Sequence, residues 1–213
     1  MCFRTGNNMP RRGTPERIEP RKTPQQDRSI QRVNAILESA TRLITKSGVS
    51  SLTMTALTKE AGIPIGSIYQ YFPEKAAILR ALFDMISNRV EDHVIRSLDE
   101  ATSLDELKQH VFVLIDWYYQ ECRENPIYLS IWLSMEMDKA LARLNIDQSY
   151  RLAEIFIRYT SSLRSPRPGE DYEARCKLLS YFLGSCMRLS LLSDQDEAQR
   201  LLAECKVLIG ESI

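Results

Sequence analysis

The middle of the chain almost lacks the two residue types that interrupt helices. No glycine occurs between Gly66 and Gly169, and Pro126 is the only proline between Pro73 and Pro166. Hairpins depend on turn residues such as glycine, so this stretch lacks the punctuation of a β-sheet. Its apolar residues instead recur at spacings of three and four, which is the pattern of amphipathic helices. The sequence therefore predicts an all-α protein.

The predicted helices follow from these apolar stripes. The first begins at Asp27 and ends before Gly48, and another begins at Ile127, after the break at Asn125-Pro126. Longer ones are predicted over residues 141–163, 172–192 and 197–209. One stripe in the middle of the chain comprises Leu104, Leu107, Val111, Leu114, Ile115, Tyr118 and Cys122.

The net charge of zero hides an uneven distribution along the chain. Residues 1–83 hold 13 Lys or Arg against 6 Asp or Glu, whereas residues 84–213 hold 15 against 22. A basic N-terminal part beside an acidic C-terminal part hints at nucleic-acid binding by the basic part. Residues 1–26, with prolines at positions 10, 15, 20 and 24, are predicted to be a disordered basic arm. This arm either touches DNA or is an inert tail.

Several classes of protein are not indicated. No apolar run approaches the ~20 residues that cross a bilayer, and the N-terminus lacks the apolar segment of a secretory signal. The five cysteines are widely spaced without a C-x-x-C pair, which favours reduced thiols in the cytoplasm over disulfides or zinc. Nucleotide-binding, nucleophile-elbow and H-E-x-x-H motifs are absent, so no enzyme, cofactor or metal site is predicted.

Residues 52–72 carry the most informative motif. Thr53 is a suitable N-cap for a helix of about eight residues. Gly62 can adopt the left-handed conformation of a tight turn, and Pro64 ends the first helix and begins a second. Leu57 and Ile68 would close a small core between the two helices. This is the pattern of a helix-turn-helix, whose second helix faces the major groove of DNA.

The exposed face of the second helix is short, neutral and rich in hydroxyl groups. Gly66 permits a close approach, and the amide of Gln70 can pair with adenine or phosphate. Hydroxyl groups for phosphate contacts come from Ser67, Tyr69 and Tyr71, with Thr55 and Lys75 at the flanks. For Tyr69 and Tyr71 the alternative is packing in the core.

The run A-G-I-P-I-G-S-I-Y-Q-Y-F-P-E-K, preceded by L-T-M-T and an amphipathic helix, resembles the DNA-binding domain of the TetR (tetracycline repressor) family. The resemblance covers residues 30–85 and implies a helix-turn-helix domain at 27–75 and a larger effector-binding and dimerisation domain at 76–213. It implies that Thr53 and Thr55 lie at the start of the first helix of this motif, where they cap it and touch phosphate or base. It places Ile65, Gly66 and Tyr69 in the groove, and it lines the phosphate backbone with Ser67, Gln70, Tyr71 and Lys75.

One departure from the family pattern concerns the start of the recognition helix. Many members carry a serine and then a basic residue where this chain has Pro64 and Ile65. The loss of that cation removes one expected phosphate or guanine contact.

The resemblance also implies a homodimer that reads a palindromic operator through two recognition helices. The segments at 172–192 and 197–209 are the candidates for the seam between subunits. Their apolar residues could equally line the core of one protomer. The candidate interface residues are Leu178, Phe182, Leu189, Leu201, Leu202 and Leu208.

Aromatic residues and methionines in the middle of the chain are candidates for an effector pocket, although at helical spacing they could be plain core. Such a pocket suits an apolar or aromatic small molecule. The candidates are Trp117, Tyr128, Trp132, Met135, Phe156 and Tyr159, with Tyr118, Tyr119 and Met137 nearby. Asp116 is either a polar anchor of the pocket or a surface residue.

Together these features predict a ligand-responsive, dimeric transcriptional regulator, with repression as the favoured sense. A transcriptional activator of the same fold remains open, as does a helical interaction module that does not bind DNA.

Overall fold

The computed structural model describes residues 27–136, 139–165 and 167–213. Over that part of the chain the protein is built from α-helices and one 3-10 turn, which confirms the all-α prediction. The arm predicted over residues 1–26 and the candidate Met137 lie outside the described residues.

The N-terminal part contains three helices around a small core. Helix α1 spans Asp27–Ser47, a 3-10 turn follows at Val49–Ser51, and α2 and α3 span Met54–Ala61 and Ile65–Tyr71. Helix α1 packs on α2, on the 3-10 turn and on α4, and α2 packs on α3. The bounds predicted for α1 and the length of about eight residues predicted for α2 are confirmed.

The remaining helices form a larger bundle. They are α4 (Lys75–Leu98), α5 (Leu104–Glu124), α6 (Ile127–Met135), α7 (Lys139–Thr160), α8 (Tyr172–Leu192) and α9 (Gln195–Ser212). Helix α9 begins earlier than the predicted 197–209, because Asp194 caps it by accepting a hydrogen bond from the Glu197 amide over 2.9 Å, and it also ends three residues later. Pairs α7–α8 and α8–α9 pack extensively.

A single apolar core runs through both parts of the described chain. It includes Ile36 of α1 and Ile68 of α3 as well as Leu107 of α5 and Ile209 of α9. Helix α4 joins the two parts, since it begins at the boundary predicted at residues 75–76 and packs on α1, α5 and α7. One continuous helix, α4, therefore connects the three N-terminal helices to the larger bundle.

Candidate nucleic-acid interface and interior cavity

The turn between α2 and α3 is fixed by local interactions. The Thr53 hydroxyl oxygen accepts a hydrogen bond from the Ala56 amide over 3.0 Å at the start of α2. Gly62 ends that helix with φ 64° and ψ 21°, a left-handed conformation that costs other residues energy. Leu57 and Ile68 are completely buried between the helices. The motif is thus a packed helix-turn-helix with a defined outer face.

That outer face, called here the recognition surface, is open to solvent. Ile65 and Tyr69 are 43% and 40% exposed although they are large apolar residues. Gly66, with no protein atom within 4 Å of an added Cβ, leaves the helix backbone accessible. The recognition surface comprises Thr53, Thr55, Ile65, Gly66, Tyr69 and Gln70, all exposed.

Three other residues predicted for DNA contact are less accessible. Tyr71 is half-buried and packs against the core, while Ser67 is half-buried at the edge of the recognition surface. The Lys75 ammonium donates a hydrogen bond to the backbone carbonyl of Val49. Burial lowers the pKa of Lys75. Lys75 therefore holds α4 against the 3-10 turn, a structural role that the sequence did not reveal.

Arg32 of α1 is a cation beside the recognition surface that the sequence analysis missed. Its guanidinium donates to the Ser67 hydroxyl over 3.4 Å, although the two residues are 35 positions apart. On the same helix, Arg42 pairs with Glu60 of α2 over 2.8 Å. The position of Arg32 on α1 was visible in the sequence, but its approach to Ser67 of α3 was not.

A cavity of about 160 Å³ lies inside the larger bundle. It is lined by residues of α4 to α9, and most of its lining is apolar. Among the predicted effector residues, Trp117, Trp132 and Phe156 line it, as does Tyr118. The lining also contains polar groups that were not singled out from the sequence: Ser87, Asn145, Gln148, Ser149 and Ser180.

The other predicted effector residues do not line this cavity. The Tyr128 hydroxyl donates to a Glu121 carboxylate oxygen over 3.1 Å, and Met135 is buried in the core. The Tyr159 hydroxyl donates to Asp99 instead. Asp116 is an exposed surface residue that binds Lys206 over 2.6 Å. Helical spacing indicates which of these side chains face inward. Which of them reach the cavity depends on how the neighbouring helices pack.

An ionic and aromatic cluster adjoins the cavity on one side. The buried Glu121 carboxylate pairs with Arg89 over 2.9 Å, which joins α5 to α4. Burial and the Glu121 charge raise the pKa of Tyr128. Burial likewise raises the pKa of Tyr118, whose ring meets that of Trp132 edge-on at 5.8 Å.

The predicted interface residues on α8 and α9 divide into two groups. Leu178, Phe182 and Leu189 on α8 and Leu208 on α9 are exposed, with Leu178 at 72%. Leu201 is half-buried and Leu202 is buried in the protomer core, because α9 turns that side towards α8 and α5. The first four residues are named the apolar face of α8 and α9 below.

The described residues contain no group of three metal-ligating side chains, and no helix among them is long and apolar enough to cross a membrane. Cys186 of α8 and Cys205 of α9 lie next to each other as free thiols. The Cys205 thiol donates a hydrogen bond that lowers the pKa of Cys186.

Comparison with known proteins decides the family. Residues 36–82 match the family model of bacterial regulatory proteins of the tetR family, and residues 105–212 match that of the tetracyclin repressor-like C-terminal domain. The protein belongs to the TetR family. The resemblance predicted from residues 30–85 is thereby confirmed, and the match also covers the C-terminal half of the chain. TetR-family proteins of this description are transcriptional regulators.

Individual relatives are similar over different lengths. The HTH-type transcriptional regulator TtgR of Pseudomonas putida is 33% identical over 72 residues, which span 34% of each chain. The chain thus covers about a third of that relative. The protein SCO7518 of Streptomyces coelicolor superposes with a TM-score of 0.66 at 16% identity over 82% of this chain and 96% of that one. SmeT, the repressor of the Stenotrophomonas maltophilia multidrug efflux pump SmeDEF, gives 0.61 at 17% identity over 83% and 89%.

Proposed function

We propose that this TetR-family protein is a ligand-responsive repressor that binds a palindromic operator as a homodimer. The observation that carries the proposal is the recognition surface, where Ile65 and Tyr69 are held in solvent by a helix whose opposite side is buried. These two exposed side chains contribute nothing to the core of the protomer. Against the major groove, the same residues would contact base edges and methyl groups.

The electrostatics of the surrounding residues support a DNA backbone at its edge. Arg32 lies beside Ser67 and compensates for the cation that is missing at Pro64 and Ile65. A phosphate oxygen at this edge would accept from both the guanidinium and the hydroxyl group. Lys75 contributes as a phosphate contact only if its hydrogen bond to Val49 is given up on binding.

The dimer is supported by the apolar face of α8 and α9. Leu178, Phe182 and Leu189 lie along one helix at spacings of four and seven, and all three are exposed. Such a stripe is the seam that two helices of each protomer use in a four-helix bundle. One seven-residue recognition helix offers few base contacts, and a twofold axis doubles them.

The cavity supports regulation by a small molecule, which we propose as the effector that releases DNA. Helix α4 supplies cavity residues such as Val90 and begins directly after the helix-turn-helix. An effector that prefers a different position of α4 would change the spacing of the two recognition helices. The repressor sense is supported by the name of the family and by the similarity in fold to SmeT, which is a repressor.

The test is selection of bound fragments from random duplex DNA at low ionic strength. The parent protein is expected to enrich an inverted repeat with half-sites about one helical turn apart. Tyr69→Ala should lose the enrichment and keep its helical circular-dichroism spectrum. Tyr150→Ala, which truncates a tyrosine of similar exposure on α7, is the matched control and should enrich the same repeat. Failure of the parent to enrich any sequence would overturn the proposal.

The salt dependence of operator binding tests the phosphate contact of Arg32. Arg32→Ala should lower the slope of log affinity against log salt by about one unit per subunit, or about two per dimer. Arg143→Ala removes the same charge from an exposed position on α7 and should leave the slope unchanged. Equal slopes for both variants would remove Arg32 from the interface.

A further inference from the structure

We infer that the cavity is built for a small, uncharged aromatic molecule whose hydrogen-bond acceptor is recognised by the side-chain amide of Gln148. The inference rests on the proposed function in one respect, since it takes the cavity as the effector site. Arg151 and Glu91 are positioning residues for that amide, and they do not line the cavity themselves.

The size of the cavity sets the size of the ligand. Its volume of about 160 Å³ is close to that of engineered apolar cavities of about 150 Å³, which hold benzene. One substituted ring fits this space, whereas a ligand of several fused rings would require the helices to move apart. The walls offer aromatic faces from Trp117, Trp132 and Phe156.

The charge of the lining sets the charge of the ligand. No Lys, Arg, Asp or Glu side chain is among the described residues that enclose the cavity. An ion placed there would lose part of its hydration without a counter-charge in the lining itself, which proteins avoid because the penalty is large. The cavity therefore selects neutral molecules over anions and cations of the same shape.

The polar groups of α7 set the chemistry of recognition. Arg151 donates from its Nη2 to the Oε1 of Gln148, and donates from its Nε to Glu91 of α4 over 2.8 Å. Because arginine can only donate, this contact fixes the amide oxygen on the arginine side. The amide nitrogen of Gln148 is then the group that can donate to a molecule in the cavity.

Ser149 beside it adds an acceptor. Its hydroxyl donates to the backbone carbonyl of Asn145 over 3.1 Å, so the hydroxyl oxygen retains lone pairs for a ligand donor. The pair suits a carbonyl, ether or phenol oxygen on an aromatic ring. A plain hydrocarbon would offer the amide nitrogen of Gln148 no acceptor, at a cost in affinity.

The experiment compares three probes of nearly the same shape: acetophenone, cumene and benzoate. Binding to the full chain without DNA is measured by titration calorimetry. Location is followed by the fluorescence of Trp117 and Trp132, the only two tryptophans in the chain, both of which line the cavity. Acetophenone should bind about tenfold more tightly than cumene, and benzoate should not bind.

Variants separate recognition from folding. Gln148→Met should reduce the preference for acetophenone over cumene to within about twofold while cumene still binds. Arg151→Met, which frees the amide to rotate, should lower the preference without lowering cumene affinity. A merely structural role of Arg151 would weaken both probes equally. Ala153→Leu, which fills the cavity, should reduce binding of both and the fluorescence change with it.

Three results would overturn the inference: benzoate binding as tightly as acetophenone, a preference unchanged in Gln148→Met, or no binding of acetophenone and cumene to the parent. These outcomes are distinct from a failure of the proposed function. The operator selection is carried out without any probe, so sequence-specific DNA binding stands or falls independently of the ligand class. Binding that depends on Gln148 but does not change operator affinity would keep the ligand class and reject only the effector role.

Discussion

The imidazole ring of His93 lies flat against the indole ring of Trp117, with 3.6 Å between the ring centroids and 13° between the planes. The stack joins α4 to a residue that lines the cavity. Burial lowers the pKa of His93, and the nearby Arg96 and Arg89 lower it further, while Glu121 acts in the opposite direction. The folded protein therefore favours the neutral imidazole.

Stability should consequently fall on mild acidification. The unfolded chain takes up the proton near the ordinary histidine pKa of 6.5, before the folded chain does, so the free energy of unfolding decreases as pH falls below that value. Below the folded-state pKa the decrease is complete. To check the prediction, the midpoint of urea unfolding is measured at several pH values between 5 and 7.5 for the parent and for His93→Gln. The difference between the two midpoints is then compared across this pH range.

The control for this prediction is His110→Gln, the same replacement at the only other histidine. In the His110→Gln variant, the free energy of unfolding should still show the part of the pH dependence that His93→Gln removes. A parent and a His93→Gln variant with parallel stability profiles would show that the stack tolerates the charged ring.

The two glycines of the helix-turn-helix should respond to alanine in opposite ways. Gly62 has a positive φ of 64°, so Gly62→Ala should destabilise the protein by roughly 1–2 kcal/mol through the backbone alone. Gly66 is helical with open space around it, so Gly66→Ala should raise stability by up to about 1 kcal/mol. The added methyl group should nevertheless weaken operator binding. Thermal unfolding and operator titration of both variants check the prediction.

The helix-turn-helix could be predicted because its determinants are local. Thr53, Gly62 and Pro64 act within a few residues of themselves, and the sequence shows them in order. Two other features join separate helices: the contact from Arg32 to Ser67, and the network of Glu91, Arg151 and Gln148. Neither residue spacing nor composition predicts such contacts. Whether an inward aromatic reaches the cavity depends on the helices opposite. Trp132 and Tyr128 lie four apart on α6, yet only Trp132 lines it.

Lys75 should prove more important for stability than its place in the DNA-binding motif suggests. Lys75→Met removes the charged donor to the Val49 carbonyl and should lower the free energy of unfolding by about 1–2 kcal/mol. Lys46→Met, at an exposed position in the last turn of α1, is the matched control and should cost a few tenths of a kcal/mol. A reduced salt slope of operator binding with unchanged stability would instead assign Lys75 to the phosphates.

The apolar face of α8 and α9 should determine the oligomeric state. Leu189 is 53% exposed in the protomer, so Leu189→Glu should leave protomer unfolding almost unchanged while placing a buried charge in each half of the interface. Light scattering coupled to size exclusion should then show a single subunit, and the variant should lose most of its operator affinity. Leu133→Glu, at a 44% exposed position on α6, introduces the same charge away from this face and should remain dimeric. A dimer that survives Leu189→Glu would place the seam on a different surface, since two carboxylates facing each other across an apolar seam cost more than such an interface can absorb.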